Sequence, residues 1–150
     1  VAAPMAESFT IKRAITIRAV VTPRWKEDAE RELSNALSNL DGQLAQLEQE
    51  GQRVITEVRA QSANPLDPRV QEQVASIQQQ VAAKRSELEE QKRQVLEQQQ
   101  QVRNLTYEQV VDQGQLESLC EVRLGDNLVE KMQASVLVRD GVVEALEGLD

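Results

Sequence analysis

Across 150 residues there is no histidine and one cysteine, so the side chains that most often serve as general base, nucleophile or metal ligand are nearly absent. Cys120 falls on the apolar side of a predicted strand, which reads as a buried structural thiol, and one thiolate cannot build a metal site. The six glycines are scattered, so no phosphate-cradling loop is expected. A hairpin tip that helped an enzyme hold a metal ion would need clustered carboxylates. Here Asp67 stands alone in the tip, with Glu57 and Glu72 well down the arms. The expectation is therefore no enzyme, no catalytic residue, no metal and no cofactor.

Two groups of residues keep a functional reading. Lys12, Arg13, Arg18, Arg24 and Lys26 are opposed only by Glu7 up to that point, a net of +4, and are the candidate RNA contact. Arg24, Trp25, Lys26 and Tyr107 combine charge with two of the chain's few aromatics, and are the candidate protein-contact set. Arg13 is the one charged residue on the apolar side of its predicted strand.

The element that must place these groups lies between them. Leu33, Leu37, Leu40, Leu44, Leu47, Gly51, Val54 and Val58 step by four and three, a seven-residue repeat. Val70, Val74, Ile77, Val81, Lys84, Leu88, Gln91, Val95, Gln98, Val102 and Leu105 do the same. The period predicts two helices packed as a left-handed coiled coil. Asn64-Pro65-Leu66-Asp67-Pro68 is a turn, with Asp67 suited to cap the second helix and Pro68 to open it. So short a connection makes the arms antiparallel, giving a helical hairpin over 23–112 with its tip at 63–68. Lys84, Gln91 and Gln98 share one repeat position, and are read as register control or partial exposure; docking of a third helix or partner is the sharper alternative. Gly51 permits close helix approach or a local bend. Because glycine costs a helix about 1 kcal/mol against alanine, Gly51→Ala is expected to raise stability.

Outside the hairpin the pattern changes to period two. Phe9, Ile11, Ile15, Ile17, Ala19 and Val21 alternate with polar or smaller residues, the mark of a half-buried strand. Thr22-Pro23 then caps and opens the first helix. Gln113-Gly114-Gln115 breaks the helical pattern, and Leu116 to Leu124 reads as a strand with Cys120, Val122 and Leu124 on one face. Met132 to Arg139 and Val142 to Glu147 form a hairpin about Asp140-Gly141. The expected fold class is α+β: a flexible stretch at 1–8, a split β-unit from 9–22 plus 115–150, and the coiled-coil hairpin inserted into it. Since antiparallel arms return the chain to its point of departure, the first two strands should pair antiparallel within a four-stranded antiparallel sheet or small open barrel.

Charge and composition narrow the functions. The net charge is −8, with −6 over 27–111 and −6 from Asp112 onward. An acidic arm disfavours RNA binding along its length, and the basic first strand is expected to lie beside the acidic last segment. No apolar run is long enough to span a membrane and no secretory signal is evident, so with a single cysteine the expected location is the cytoplasm. Aromatics make up only 2% of the chain, and so small a β-unit buries little, which favours a homo-oligomer. The leading function class is a structural or interaction protein with an unknown protein partner. RNA or ribosome association through the basic strand is the alternative.

Four segments carry a family resemblance. Val21-Thr22-Pro23-Arg24-Trp25-Lys26-Glu27, Gln113-Gly114-Gln115-Leu116-Glu117-Ser118, Val122-Arg123-Leu124-Gly125-Asp126-Asn127-Leu128 and Arg139-Asp140-Gly141-Val142-Val143 recur in this order, with a hairpin between the first two. In these the chain resembles the YlqD-like family of bacterial proteins, particularly its cyanobacterial members. The resemblance implies a bacterial cytoplasmic protein. The family is itself uncharacterised, so it carries over no catalytic or ligand-binding residues.

Overall fold

Strand β1 (Ser8–Val20) takes the alternation just described and becomes the centre of a sheet. The structure is a computed structural model and describes residues 6–149, so most of the expected flexible stretch at 1–8 lies outside the described residues, while Ser8 already belongs to β1. Along one edge β1 pairs antiparallel with β2 (Val110–Arg123), from Ser8↔Arg123 to Val20↔Val110. Helix α2 (Pro68–Asn104) stops earlier than the pattern suggested, and Val110–Gln115 are strand rather than helix and break. Gly114 had marked an interruption; it sits instead at a register shift, where Ile17 faces Gly114 and Arg18 faces Asp112.

On its other edge β1 pairs with β3 (Ala134–Arg139), from Ile15↔Ala134 to Ala19↔Val138, and this pairing is parallel. Strand β4 (Val142–Glu147) then returns antiparallel beside β3, giving the order β2-β1-β3-β4. The sheet is therefore open and mixed, not the all-antiparallel sheet or barrel expected. Direction explains the difference. β2 runs back along β1, and the short connection after it reverses the chain again while passing to the far side of β1. A strand entering there must run with β1. That connection contains α3 (Leu128–Met132), where Asn127 caps by accepting hydrogen bonds from the backbone N–H of Val129 and of Glu130 at 3.0 and 3.2 Å. The β3–β4 turn is as predicted: Asp140 and Gly141 have φ of 50° and 84°, the two positive values a type I′ turn requires.

Residues that face each other across a ladder share a side of the sheet. One side therefore holds Ile11, Arg13, Ile15, Ile17 and Ala19 of β1 with Cys120 and Val122 of β2 and Ala134, Val136 and Val138 of β3. Ile15, Ala19, Cys120, Val122 and Ala134 are buried. The other side is polar, with Lys12, Thr16, Arg18, Asp112, Glu117 and Glu121.

The described chain divides into two compact units: this sheet, with the residues up to Glu27 and from Leu105 onward, and the helical hairpin Asp28–Asn104. Helix α1 (Pro23–Ala60) begins as expected, the Trp25 N–H donating to Thr22 Oγ1 at 3.0 Å. The tip also forms as read: Asn64 O accepts from the Asp67 N–H, Asn64 Oδ1 from the Leu66 N–H, and Asp67 caps α2 through the Arg69 N–H at 2.9 Å. In α1 the apolar repeat holds, with Leu40 and Gly51 buried, and Ile55 joins it.

In α2 the repeat keeps Val70, Val74, Ile77 and Val81 and then changes phase. Arg85, Lys92 and Gln99 lie toward α1, while Lys84, Gln91 and Gln98 are exposed. The reason is what α1 offers opposite. Arg85 pairs with Glu48, Lys92 Nζ with Asp41 at 2.7 Å, Gln99 with Ser34 at 3.5 Å, and Arg103 with Glu30 at 3.4 Å. As the number falls along α1 it rises equally along α2, so all four pairs belong to one antiparallel register. Exposed pairs of this kind contribute about 0–1 kcal/mol each, so their role is to select the register that Leu40 and Leu88 stabilise by burial. Lys84 instead pairs with Glu87 along its own helix at 3.5 Å.

Gly51 overturns the stability expectation attached to it. A Cβ there would lie 2.8 Å from Val81 Cγ2, and a β-branched side chain in a helix has little rotamer freedom to move away. Overpacking of about 1–3 kcal/mol outweighs the helix-propensity gain of about 1 kcal/mol. Thermal melts followed by circular dichroism should therefore place Gly51→Ala below the wild type, and adding Val81→Ala should recover part of the loss. A single variant melting above wild type would show that the helices can spread without cost.

Candidate functional site

The candidate interaction residues gather in the sheet unit, where the chain leaves β1 and returns to β2. The Val21 N–H donates to Gln109 O at 2.8 Å, and the Glu108 N–H donates to Val21 O at 2.7 Å. These two bonds extend the β1–β2 pairing across the point of exit. Thr22, buried at 5% exposure, uses its hydroxyl twice: it accepts from the Trp25 N–H and donates to Asp140 Oδ1 at 2.6 Å. The helix cap is thereby tied to the β3–β4 turn.

Beside it Glu108 holds a φ of 72°, a left-handed conformation costly for a residue with a side chain. Arg139 secures it with two parallel bonds, Nη1 to Oε1 and Nη2 to Oε2, each 2.6 Å, and reaches Glu144 Oε1 through Nε at 2.5 Å. Neither Glu108 nor Arg139 stood out in sequence as a site residue. The Arg139-Asp140-Gly141 turn was legible, but the long-range partner of Arg139 was not. Of the residues that did stand out, Arg24 is exposed, Trp25 is half-buried, and Tyr107 is 55% exposed with Lys26 Nζ 5.0 Å from its ring centroid. Tyr107 thus stands out from the surface.

The basic group is not one surface. Lys12 and Arg18 lie on the polar side of the sheet, where Arg18 faces Asp112 directly and Nε approaches its carboxylate to 3.7 Å. Glu117 and Glu121 share that side, so the acids interleave with the cations, as cross-strand charge pairing favours. Arg13 is on the opposite side and 7% exposed, its Nη1 donating to Lys131 O at 2.7 Å and Gly148 O at 3.0 Å. Among the described residues no three carboxylate or thiol side chains come together as a metal site. Cys120 is buried.

The apolar side of the sheet is covered only in part. Ile17, Val136 and Val138 are half-buried, while Leu116, Val143 and Leu146, which face Ile15, Val138 and Val136 across their ladders, are 54–60% exposed.

The segments that form the exit, the β2 register shift, the α3 connection and the I′ turn are the same four that carried the family resemblance. The family described as YlqD protein matches residues 9–147. The chain belongs to the YlqD family. Among solved structures it is similar to the crystal structure of a protein of unknown function from Synechococcus sp. WH 8102, at 68% identity and a TM-score of 0.83, over 97% of this chain and 99% of that one. No curated protein matches it.

In this YlqD-family chain the Arg139 hydrogen bonds hold the Glu108 carboxyl below the usual glutamate value. Its contribution to stability is complete above the ordinary carboxylate range and is lost as the pH falls through the lowered value. The wild type should therefore melt above Glu108→Gln at neutral pH, and the two curves should converge in acid. A gap that persists once the carboxylate is protonated would place the effect in the backbone rather than the ion pair.

Proposed function

We propose that this protein is a non-enzymatic structural and interaction protein of the cytoplasm, in which the coiled-coil hairpin and the sheet unit mediate protein–protein contact, beginning with self-assembly. The observation that carries the reading is the partly open apolar side of the sheet. Ile17, Leu116, Val136, Val138, Val143 and Leu146 form the open part, with Leu116, Val143 and Leu146 at 54–60% exposure, and a group of exposed large apolar side chains on one side of a sheet suits a contact surface. The proposed occupant is a second copy of the chain. The patch carries no charged side chain, so two copies related by a twofold axis meet without opposing like charges, even though the chain carries −8 overall.

Other observations support the same reading. Tyr107 presents an exposed aromatic at the sheet unit, a residue type enriched where proteins meet. The hairpin exposes pairs of acid and arginine along its own helices, such as Arg93 with Glu90 and Glu97, which suit a solvated rod. No helix among the described residues is long and apolar enough to cross a membrane. RNA binding is the weaker reading, because the exposed cations of β1 are interleaved with acids.

Light scattering on the full chain at micromolar concentration should give twice the monomer mass. Leu116→Glu combined with Leu146→Glu should give the monomer mass while retaining the helical circular-dichroism signal. A wild type that is monomeric throughout the micromolar range would remove the self-assembly reading.

A further inference from the structure

A second site lies at the other end of the sheet from the exit, around Arg13. A cavity of about 520 Å³ there is lined by Arg13, Leu119, Cys120, Glu121, Arg123, Asp126 and Lys131. That volume falls within the range of small-molecule sites. Arg13 stands apart among its charges. Asp126 accepts from the Arg123 N–H at 2.8 Å and lies 3.6 Å from Lys131 Nζ, and Glu121 is 3.2 Å from Arg123 Nη2. Lys131 Nζ also donates to Glu121 O at 3.4 Å. The two carboxylates are therefore engaged by two of the three cations, and the third is Arg13.

Arg13 is the unusual member. It is 93% buried, by its 7% exposure, and an arginine cannot shed its proton to escape the cost of burial. Its Nη1 is satisfied by the carbonyls of Lys131 and Gly148, but its Nε is buried with no partner, and no carboxylate among the described residues neutralises the charge. Nature places such a guanidinium beside a cavity at a cost that an oxyanion in that cavity would offset, since charge-assisted bonds to a planar donor fork are among the strongest available to a protein.

We propose that this cavity binds a small oxyanion, a phosphate- or carboxylate-bearing metabolite, with Arg13 as its principal partner. Lys131, in the connection holding α3, adds positive potential at the rim, and Asp126 discriminates against ligands of high negative charge. The site lies on β1 and β2 and in the connection holding α3, and Arg13 shares a side of the sheet with Leu116, so light scattering on Ser118→Glu separates a loss of self-assembly from a loss of the anion site.

The test uses the full chain with two probes, inorganic phosphate and citrate, each titrated calorimetrically and by thermal shift against sodium chloride at matched ionic strength. Saturable binding of phosphate identifies a phosphate-bearing ligand, and saturable binding of citrate alone identifies a carboxylate. Arg13→Met should weaken binding by about tenfold or more, the scale of a lost charge-assisted hydrogen bond. Ser118→Glu provides a check that does not depend on removing the arginine. Ser118 faces Arg13 across the β1–β2 ladder, so a carboxylate there supplies the missing anion internally. This variant should melt above the wild type and lose the probe-induced stabilisation. Absence of saturable binding by both probes in the wild type would overturn the proposal. So would a stabilisation that sodium chloride reproduces, or binding that Ser118→Glu leaves unchanged.

Discussion

The sheet depends on one closure. β1 and β2 are separated in sequence by the whole helical hairpin, yet they pair residue for residue from Ser8↔Arg123 to Val20↔Val110, with the Val21–Gln109 and Glu108–Val21 backbone bonds continuing the ladder past the exit. Joining strands across so long an insertion would carry a loop-closure cost if the insertion were flexible. It is not flexible in that sense. The ion pair of Glu30 with Arg103 closes the open end of the hairpin, so the chain that leaves β1 is brought back to be delivered to β2. The remainder of the sheet is built on β1: β3 uses its second edge, and β4 uses β3.

That closure requires the hairpin to hold one register, and two kinds of interaction select it. Gly51 against Val81 allows the helices to approach at one height only, because any side chain at that position meets Val81. The polar pairs from Glu48–Arg85 through Asp41–Lys92 and Ser34–Gln99 to Glu30–Arg103 then match all along one antiparallel alignment. Apolar burial in a two-helix seam is nonspecific with respect to a slip by one heptad, whereas such a slip keeps only one of the two cation–acid pairs: Arg85 meets Asp41 while Lys92 meets Ser34, or Lys92 meets Glu48 while Arg85 meets Ile55. Burial supplies the stability, and charge supplies the alignment.

The strand order has a functional consequence. Because β3 enters parallel on the far side of β1, β1 is interior, and the side of the sheet bearing Ile17, Leu116, Val136 and Leu146 is left partly open. The same topology buries Arg13, since the residues that surround it come from α3 and the end of β4, through the carbonyls of Lys131 and Gly148. A partly open apolar surface and a buried charge with no carboxylate partner among the described residues are opposite departures from the usual rules, and both arise in the β segments rather than in the helical hairpin.

Much of this was legible in the sequence, for local reasons. Thr22-Pro23, Asn64-Pro65, Asp67-Pro68 and Asp140-Gly141 act within four residues of themselves, and each cap or turn formed where its chemistry required. The seven-residue repeat of α1 and the two-residue alternation of β1 are likewise properties of a single element, and the four ordered segments carried the resemblance to the family whose match spans residues 9–147. What tertiary structure alone decided involves two distant elements meeting. The α2 phase moved from Lys84, Gln91 and Gln98 to Arg85, Lys92 and Gln99 because α1 presents Glu48, Asp41 and Ser34 opposite them. Gly114 looked like a break and is a paired strand residue beside a bulge at Gln113, since only its alignment with Ile17 shows that β2 continues through it. Arg13 was visible as a charge in an apolar pattern, but its burial came from residues more than a hundred positions away. Local propensity fixes what an element is; the direction, register and neighbours of that element are set by energies that exist only once the chain has returned to meet itself.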